Sequence, residues 1–243
     1  MIEHDLLLAL GKIRTGSQLF IDYDGTLVPI VMDPELCYAD EGLKHILSSL
    51  DQKYMLYIVS GRTLEDLKRF IGLDLNYIYL HGMFADLKGK TIAIKKDAET
   101  YYDVFRKLES EVTFPEWSGV RIYHKPYGIV FHLGLVDPHR REGYVERIRN
   151  IAFLNHLDVY YGINLVELKV PGVEKGKAIR VVRNEKTCLI AGDEETDESG
   201  FNMCSECVTI HVGEGKTAAR FTVKNIDAFR EILNFLSHKP ETS

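Results

Sequence analysis

Gln18-Leu19-Phe20-Ile21-Asp22-Tyr23-Asp24-Gly25-Thr26 sets a short apolar run against a polar turn that carries two carboxylates and a glycine. The same pattern recurs along the chain. Tyr54 to Val59 runs into Ser60-Gly61-Arg62, Tyr77 to Leu80 into His81-Gly82, Thr187 to Ala191 into Gly192-Asp193, and Cys207 to Val212 into Gly213. Continuous apolar runs of this length read as strands buried on both faces, which is the mark of a parallel sheet. Helical periodicity fills the gaps, at Glu41–Leu50, Thr63–Ile71, Lys175–Arg183 and Asp227–Leu236. Strands alternating with helices predict an open α/β sheet. In such sheets ligands bind at the carboxyl ends of the strands, where all of these polar turns fall.

The middle of the chain follows another rule. Thr100 to Glu111 is an apolar-periodic helix, and Val120–Tyr123 and Ile129–Leu133 flank Lys125-Pro126-Tyr127-Gly128 as a hairpin would. A helix over Pro138–Phe153 and strand-like runs at Val159–Tyr161 and Asn164–Val170 follow. This order predicts a small α+β unit, residues 97–172, inserted into a core formed by residues 1–96 and 173–243. Its links are the segment near Lys95 and Pro171-Gly172.

Composition bounds the function classes. Of 243 residues, 45% are apolar and 27% charged, with a formal net charge of -6, so a chain-wide basic footprint for nucleic acid is absent. No apolar stretch reaches the roughly 18 residues that span a bilayer, so no membrane partner is expected. The opening MIEHDLLLALGKIR places acids before a short apolar run, unlike a signal peptide, and a cytoplasmic protein is expected. Cys204 and Cys207 form a lone C-x-x-C without a second ligand pair, so the cysteines are read as packing residues rather than a zinc site, with a Cys204–Cys207 redox pair as the lesser reading.

The chemistry concentrates in four places. Asp22 and Asp24, two residues apart past a buried strand, suit phosphoryl transfer through a covalent aspartyl-phosphate, with Asp22 attacking phosphorus and Asp24 moving the leaving-group proton. Gly25 lets the backbone turn tightly there. The same D-x-D-G pattern also occurs in surface turns and calcium loops. Ser60 and Gly61 suit phosphate oxygens and Arg62 a substrate, although Ser60 fits equally the cap of a helix near Thr63. Lys175 or Lys177, at the start of a helix, suits a phosphoryl group. In Gly192 to Glu198, Asp193 suits magnesium and Asp197 suits a position behind it, or both simply complement a helix N-terminus. Each motif has an ordinary structural reading. Together, in this order and each after a strand, they converge on one site.

These residues resemble the haloacid dehalogenase superfamily of phosphatases, whose four motifs match D-x-D-G-T, S-G-R, a lysine before a helix, and G-D-x-x-T-D. The resemblance implies a Rossmann-like core, Mg2+ held with Asp22, Asp24 and Asp193, Ser60 and Lys175 on phosphate, and an inserted α/β cap that sets substrate specificity. Val166 to Pro171 followed by Glu174-Lys175-Gly176-Lys177-Ala178, and Gly192 to Phe201, are similar to trehalose-6-phosphate phosphatases. That narrower likeness implies hydrolysis of trehalose 6-phosphate, a small-molecule partner, with Lys125, Glu167 and Lys169 as candidates for sugar hydroxyls. An equal reading puts Glu167 and Lys169 in a cross-strand ion pair. Tyr123 stands where the family's cap stretch carries an acid, and Gly134 where it carries an arginine. These departures keep open another sugar phosphate, such as sucrose phosphate, mannosylglycerate phosphate or a hexose phosphate, and a mutase. A non-catalytic binding domain would have lost Asp22, Asp24 or the lysine, and all are present.

Overall fold

The computed structural model describes residues 2–31, 34–184 and 187–240. The chain forms two compact units, Met1–Ile94 with Glu174–Ser243, and Lys95–Val173. The larger unit starts with α1 (His4–Gly11), β1 (Gln18–Asp22), α2 (Glu41–Lys53), β2 (Met55–Val59), α3 (Leu64–Ile71), β3 (Asn76–Tyr79), β4 (Phe84–Leu87) and β5 (Lys90–Ala93). The smaller unit holds α4 (Tyr102–Glu111), β6 (Arg121–Lys125), β7 (Gly128–His132), α5 (Pro138–Leu154), β8 (Asp158–Gly162) and β9 (Leu165–Lys169). The larger unit resumes with α6 (Lys175–Val182), β10 (Cys188–Gly192), α7 (Glu195–Met203), β11 (Val208–Val212), β12 (Phe221–Val223) and α8 (Ile226–His238).

The larger unit is built on an eight-stranded sheet in the order β12-β11-β10-β1-β2-β3-β4-β5. The strands from β12 to β3 run parallel, and β4 and β5 extend the edge antiparallel. β1 lies between β10 and β2 and is buried along its whole length, which is why its sequence is apolar without alternation. Chain connections leave β1 toward β2 on one side and return to β10 on the other, so β1 ends at the switch point of the sheet, where α/β proteins bind ligands. Phe20, Tyr57, Ile190 and Phe201 share one buried cluster, with Phe20 and Tyr57 stacked 4.8 Å apart. Local chemistry fixes the helix ends beside β1 and β2. Asp40 caps α2 by accepting from Leu43 N at 2.8 Å, Thr63 caps α3 by accepting from Asp66 N at 3.1 Å, and Gly72 closes α3 in the left-handed conformation at φ 70°.

Four features depart from the sequence reading. The β4–β5 hairpin and β12 were not expected, and neither was α1. The hairpin turns through Lys88 and Gly89, both at positive φ, a two-residue turn whose twist matches its strands. Cys207 is bonded not to Cys204 but to Cys188, so two of the four cysteines form a disulfide where simple packing was expected. The register aligns Leu189 with Val208 and so brings the preceding residues, Cys188 and Cys207, side by side with Cα atoms 4.9 Å apart. Cys204 stays a buried thiol at the end of α7.

In the smaller unit the four strands form an antiparallel sheet in the order β6-β7-β9-β8. One face is apolar. Ile129, Phe131, Val166 and Leu168 are buried there, as are Phe105 and Leu108 of α4 and Ile148 of α5. Phe114 packs edge-on against Phe131 and Tyr144. Among the described residues, no helix of either unit is long and apolar enough to cross a membrane.

Candidate active site

Asp22 is the last residue of β1 and is 3% exposed. Its Oδ1 accepts from Lys175 Nζ at 2.7 Å, while its Oδ2 is buried with no hydrogen-bond partner. Lys175 opens α6 and is 1% exposed. It also donates to Asp197 Oδ1 at 3.0 Å and to Glu194 Oε1 at 3.4 Å. The rival Lys177 points elsewhere, paired with Glu174 at 2.6 Å and half exposed. Of the two lysines, Lys175 is the one that joins the carboxylate cluster.

Asp193 follows β10, and its Oδ1 accepts from the buried Thr26 hydroxyl at 2.8 Å. Glu194 and Asp197 form a reciprocal capping box at the start of α7, and Asp197 Oδ2 accepts from Glu194 N at 3.2 Å. One cap thereby both starts the helix and aims Asp197 at Lys175. Carboxylate oxygens of Asp22, Asp193 and Asp197 lie within 4.8 Å of one another. Glycines make this approach possible. A Cβ on Gly25, at φ 85°, would overlap the Asp193 carboxylate, and one on Gly192 would overlap the Asp197 side chain.

The Asp24 side chain is not in this cluster, where the resemblance placed it beside Asp22 and Asp193. Both of its oxygens meet the Arg62 fork, at 2.7 Å from Nε and 2.7 Å from Nη2. Arg62 also lies 4.7 Å over the Phe70 ring. The turn explains the divergence. Tyr23 O accepts from Leu27 N and Val28 N, which rolls the chain over after β1 and sends Asp22 and Asp24 to different partners. Ser60 follows Val59, the register partner of Asp22, and is buried. Its Oγ accepts from Arg62 N at 3.2 Å, whereas the cap of α3 is Thr63. A Cβ on Gly61 would overlap the ring of His81, a buried residue at φ 58°.

Four carboxylates, Asp22, Asp193, Glu194 and Asp197, face one ammonium, so the cluster holds excess negative charge. Burial raises Asp22 well above the usual carboxylate range, and Lys175 only partly offsets it. Burial likewise lifts Asp193 to about 7 against its hydrogen bond from Thr26. Asp197 is raised by burial too. Burial disfavours the Lys175 cation, but Asp197, Asp22 and Glu194 outweigh it and hold Lys175 well above its usual value. A hard divalent cation suits such a set, since it takes carboxylate oxygens and removes the repulsion. The carboxylate oxygens of Asp22, Asp193 and Asp197, all within 4.8 Å of one another, supply hard donors that fit such an ion.

In the smaller unit, Lys125 Nζ meets Glu167 Oε1 at 2.7 Å, and Lys169 Nζ donates to Val173 O at 2.8 Å. Glu167 is 4% exposed, so its pair with Lys125 is not on an open solvated face. The pair spans Gly128 of β7, whose missing side chain leaves the room: a Cβ there would lie 3.2 Å from Glu167 Oε1.

The family model described as Trehalose-phosphatase matches residues 20–228, a span that takes in every residue of the carboxylate cluster. The chain belongs to the trehalose-phosphatase family. A trehalose-6-phosphate phosphatase-related protein of Thermoplasma acidophilum is 41% identical over 90% of this chain and 96% of its own. Trehalose 6-phosphate phosphatase RA3 of Zea mays is 26% identical over 98% of this chain and 74% of its own. A crystal structure of a trehalose-6-phosphate phosphatase related protein superposes with a TM-score of 0.84 at 42% identity, covering 91% of this chain and 97% of that one. Sequence reading missed two polar partners of the cluster. Thr26 lay in the quoted D-x-D-G-T, and its role as a donor to Asp193 depends on two turns separated by 167 residues. Glu194 adjoins Asp193, but its reach to Lys175 depends on the cap of α7.

Proposed function

We propose that this chain is a magnesium-dependent phosphoric monoester hydrolase that converts trehalose 6-phosphate to trehalose and inorganic phosphate. The observation that carries the reading is the asymmetry of Asp22: one oxygen is held by Lys175 at 2.7 Å and the other is buried with no hydrogen-bond partner. A carboxylate so held keeps a lone pair for attack. Asp22 Oδ2 forms a bond to phosphorus as the bond from phosphorus to the sugar oxygen breaks. Asp24 gives a proton to that departing oxygen. Asp24 then takes a proton from water, whose oxygen attacks phosphorus and frees Asp22. Arg62 holds Asp24 in place through both of its oxygens, and one of these two contacts opens for Asp24 to carry the proton. Lys175, with Ser60 and Gly61, stabilises the charge on the transferred phosphoryl group. Asp22 and Asp193 would hold magnesium, with Asp197 as the third nearby carboxylate. Bound magnesium supplies the positive charge that an anionic ester needs to approach this acidic cluster. The inserted unit carries the specificity residues, with Lys125, Glu167 and Lys169 directed to sugar hydroxyls. Buried polar groups discriminate strongly, because an analogue that leaves one unmatched loses its hydrogen bond and gains the desolvation cost.

The test is phosphate release with magnesium and with EDTA, over trehalose 6-phosphate, sucrose 6-phosphate, glucose 6-phosphate and mannosyl-3-phosphoglycerate. Strong magnesium-dependent preference for trehalose 6-phosphate is expected. Preference for another member overturns the sugar and keeps the chemistry. No release from any member overturns the hydrolase reading for this class of esters.

A further inference from the structure

Arg230 belongs to α8, far in sequence from every motif above. Its Nε and Nη2 both donate to the carbonyl oxygen of Leu27, at 3.1 and 2.8 Å. Its Nη1 meets Asp40 Oδ2 at 2.6 Å. Leu27 closes the turn that follows the nucleophile: Leu27 N donates to Tyr23 O at 2.9 Å, and Gly25 N donates to Val28 O at 2.7 Å. Directly before it, Thr26 holds Asp193 at 2.8 Å. The turn thus carries Asp24 and the donor that aims Asp193, and its outer side is held by a guanidinium.

We propose that Arg230 is a positioning residue for the reaction, fixing the Tyr23–Val28 turn through the Leu27 carbonyl and thereby setting Thr26 and Asp193. This rests on the hydrolase reading above and extends it to α8. Two donors on one carbonyl restrain both its place and its direction, which a single contact does not. A turn displaced by a fraction of an ångström misaligns the groups it carries, and displacement on the order of 1 Å can cost roughly a hundredfold in rate. Asp40 supplies the separation of roles. Its carboxylate pairs with Arg230 and caps α2, contacts that lie outside the turn.

The experiment compares R230M, R230K and D40N. D40N keeps an N-cap acceptor and removes the ion pair. Phosphate release from both trehalose 6-phosphate and p-nitrophenyl phosphate is followed, and magnesium affinity is measured by calorimetry. R230M is expected to lose about tenfold in kcat with KM within about twofold, and to bind magnesium several-fold more weakly. R230K, which offers Leu27 O one donor in place of two, is expected to recover only part of both losses. D40N is expected to lower the melting temperature as R230M does while keeping kcat. If R230M does not fold, R230Q replaces it, with one neutral donor and an expected kcat loss of at least about threefold. A kcat within about twofold of the parent in the folded Arg230 variant, or an equal kcat loss in D40N, overturns the proposal. Absence of turnover in the parent would instead sink the hydrolase reading. Calorimetry would still judge Arg230 in that case, with unchanged magnesium affinity in R230M counting against it.

Discussion

Asp22 and Lys175 form an ion pair nearly closed to solvent. Removing one partner of such a pair strands the other charge, so the two substitutions are expected to behave differently. Asp22→Asn keeps the shape and removes the nucleophile. It is expected to lower turnover on the order of a thousandfold or more while melting no earlier than the parent, because it also removes one of four crowded carboxylates. Substantial turnover in D22N would reassign the nucleophile. Lys175→Met leaves Asp22, Asp197 and Glu194 without their shared cation. It is expected both to abolish turnover and to melt earlier, with the stability loss smaller at pH 5 than at pH 8, where the carboxylates are ionised. An equal loss at both values would show that packing, not charge, is what Lys175 contributes. At this scale Asp22, Lys175 and Asp193 were legible as residue types in a pattern. The Asp24–Arg62 fork was not, because residues two apart in a turn carry no sign of which way each points.

α7 shows how an element sets several of these positions at once. Its capping box pairs Glu194 with Asp197, and Gly192 at the end of β10 leaves room for the Asp197 side chain. Gly192→Ala is expected to displace Asp197, lower kcat at least about tenfold and destabilise the chain by about 1–3 kcal/mol, as overpacking typically does. Steady-state kinetics and thermal melts would check both, and parent-like behaviour would mean that α7 can shift without cost. Gly61→Ala meets the His81 ring in the same way and is expected to disturb the loop that carries Ser60 and Arg62. The strands around these loops were readable from sequence because burial on both faces demands unbroken apolar runs. The hairpin of β4 and β5 escaped notice because it lies at the edge of the sheet. β5 there is mostly open to solvent and mixes polar with apolar residues. The disulfide escaped for a related reason: proximity of Cys188 to Cys207 is a consequence of strand register, which no spacing in the chain reveals.

For the molecule as a whole, the raised carboxylates predict how stability follows pH. Asp193 is lifted to about 7, and Asp22 and Asp197 are lifted by burial as well, so the metal-free folded chain holds protons that the unfolded chain has released. Stability from these groups is full below the ordinary carboxylate range and is lost as pH rises through about 7. Asp40 works the other way. Its hydrogen bond from Leu43 N and its pairing with Arg230 lower it, so its contribution is lost only in acid and does not compete between pH 5 and pH 8. In EDTA the chain is therefore expected to melt higher at pH 5 than at pH 8, and magnesium is expected to raise the melting temperature more at pH 8. Melts that are flat with pH in EDTA would contradict the charge balance of the cluster. Sequence by itself determined the parallel core and the inserted unit's strands and helices, because burial periodicity and turn residues are local properties of the chain, and the order of its motifs carried the resemblance to the family. Tertiary structure alone decided that Asp197 rather than the Asp24 side chain joins Asp22 and Asp193, that Lys175 rather than Lys177 is the buried cation, and that Glu167 pairs with Lys125. Those choices depend on where side chains from separate strand ends point once the backbone has been packed, and distance along the chain carries no record of that.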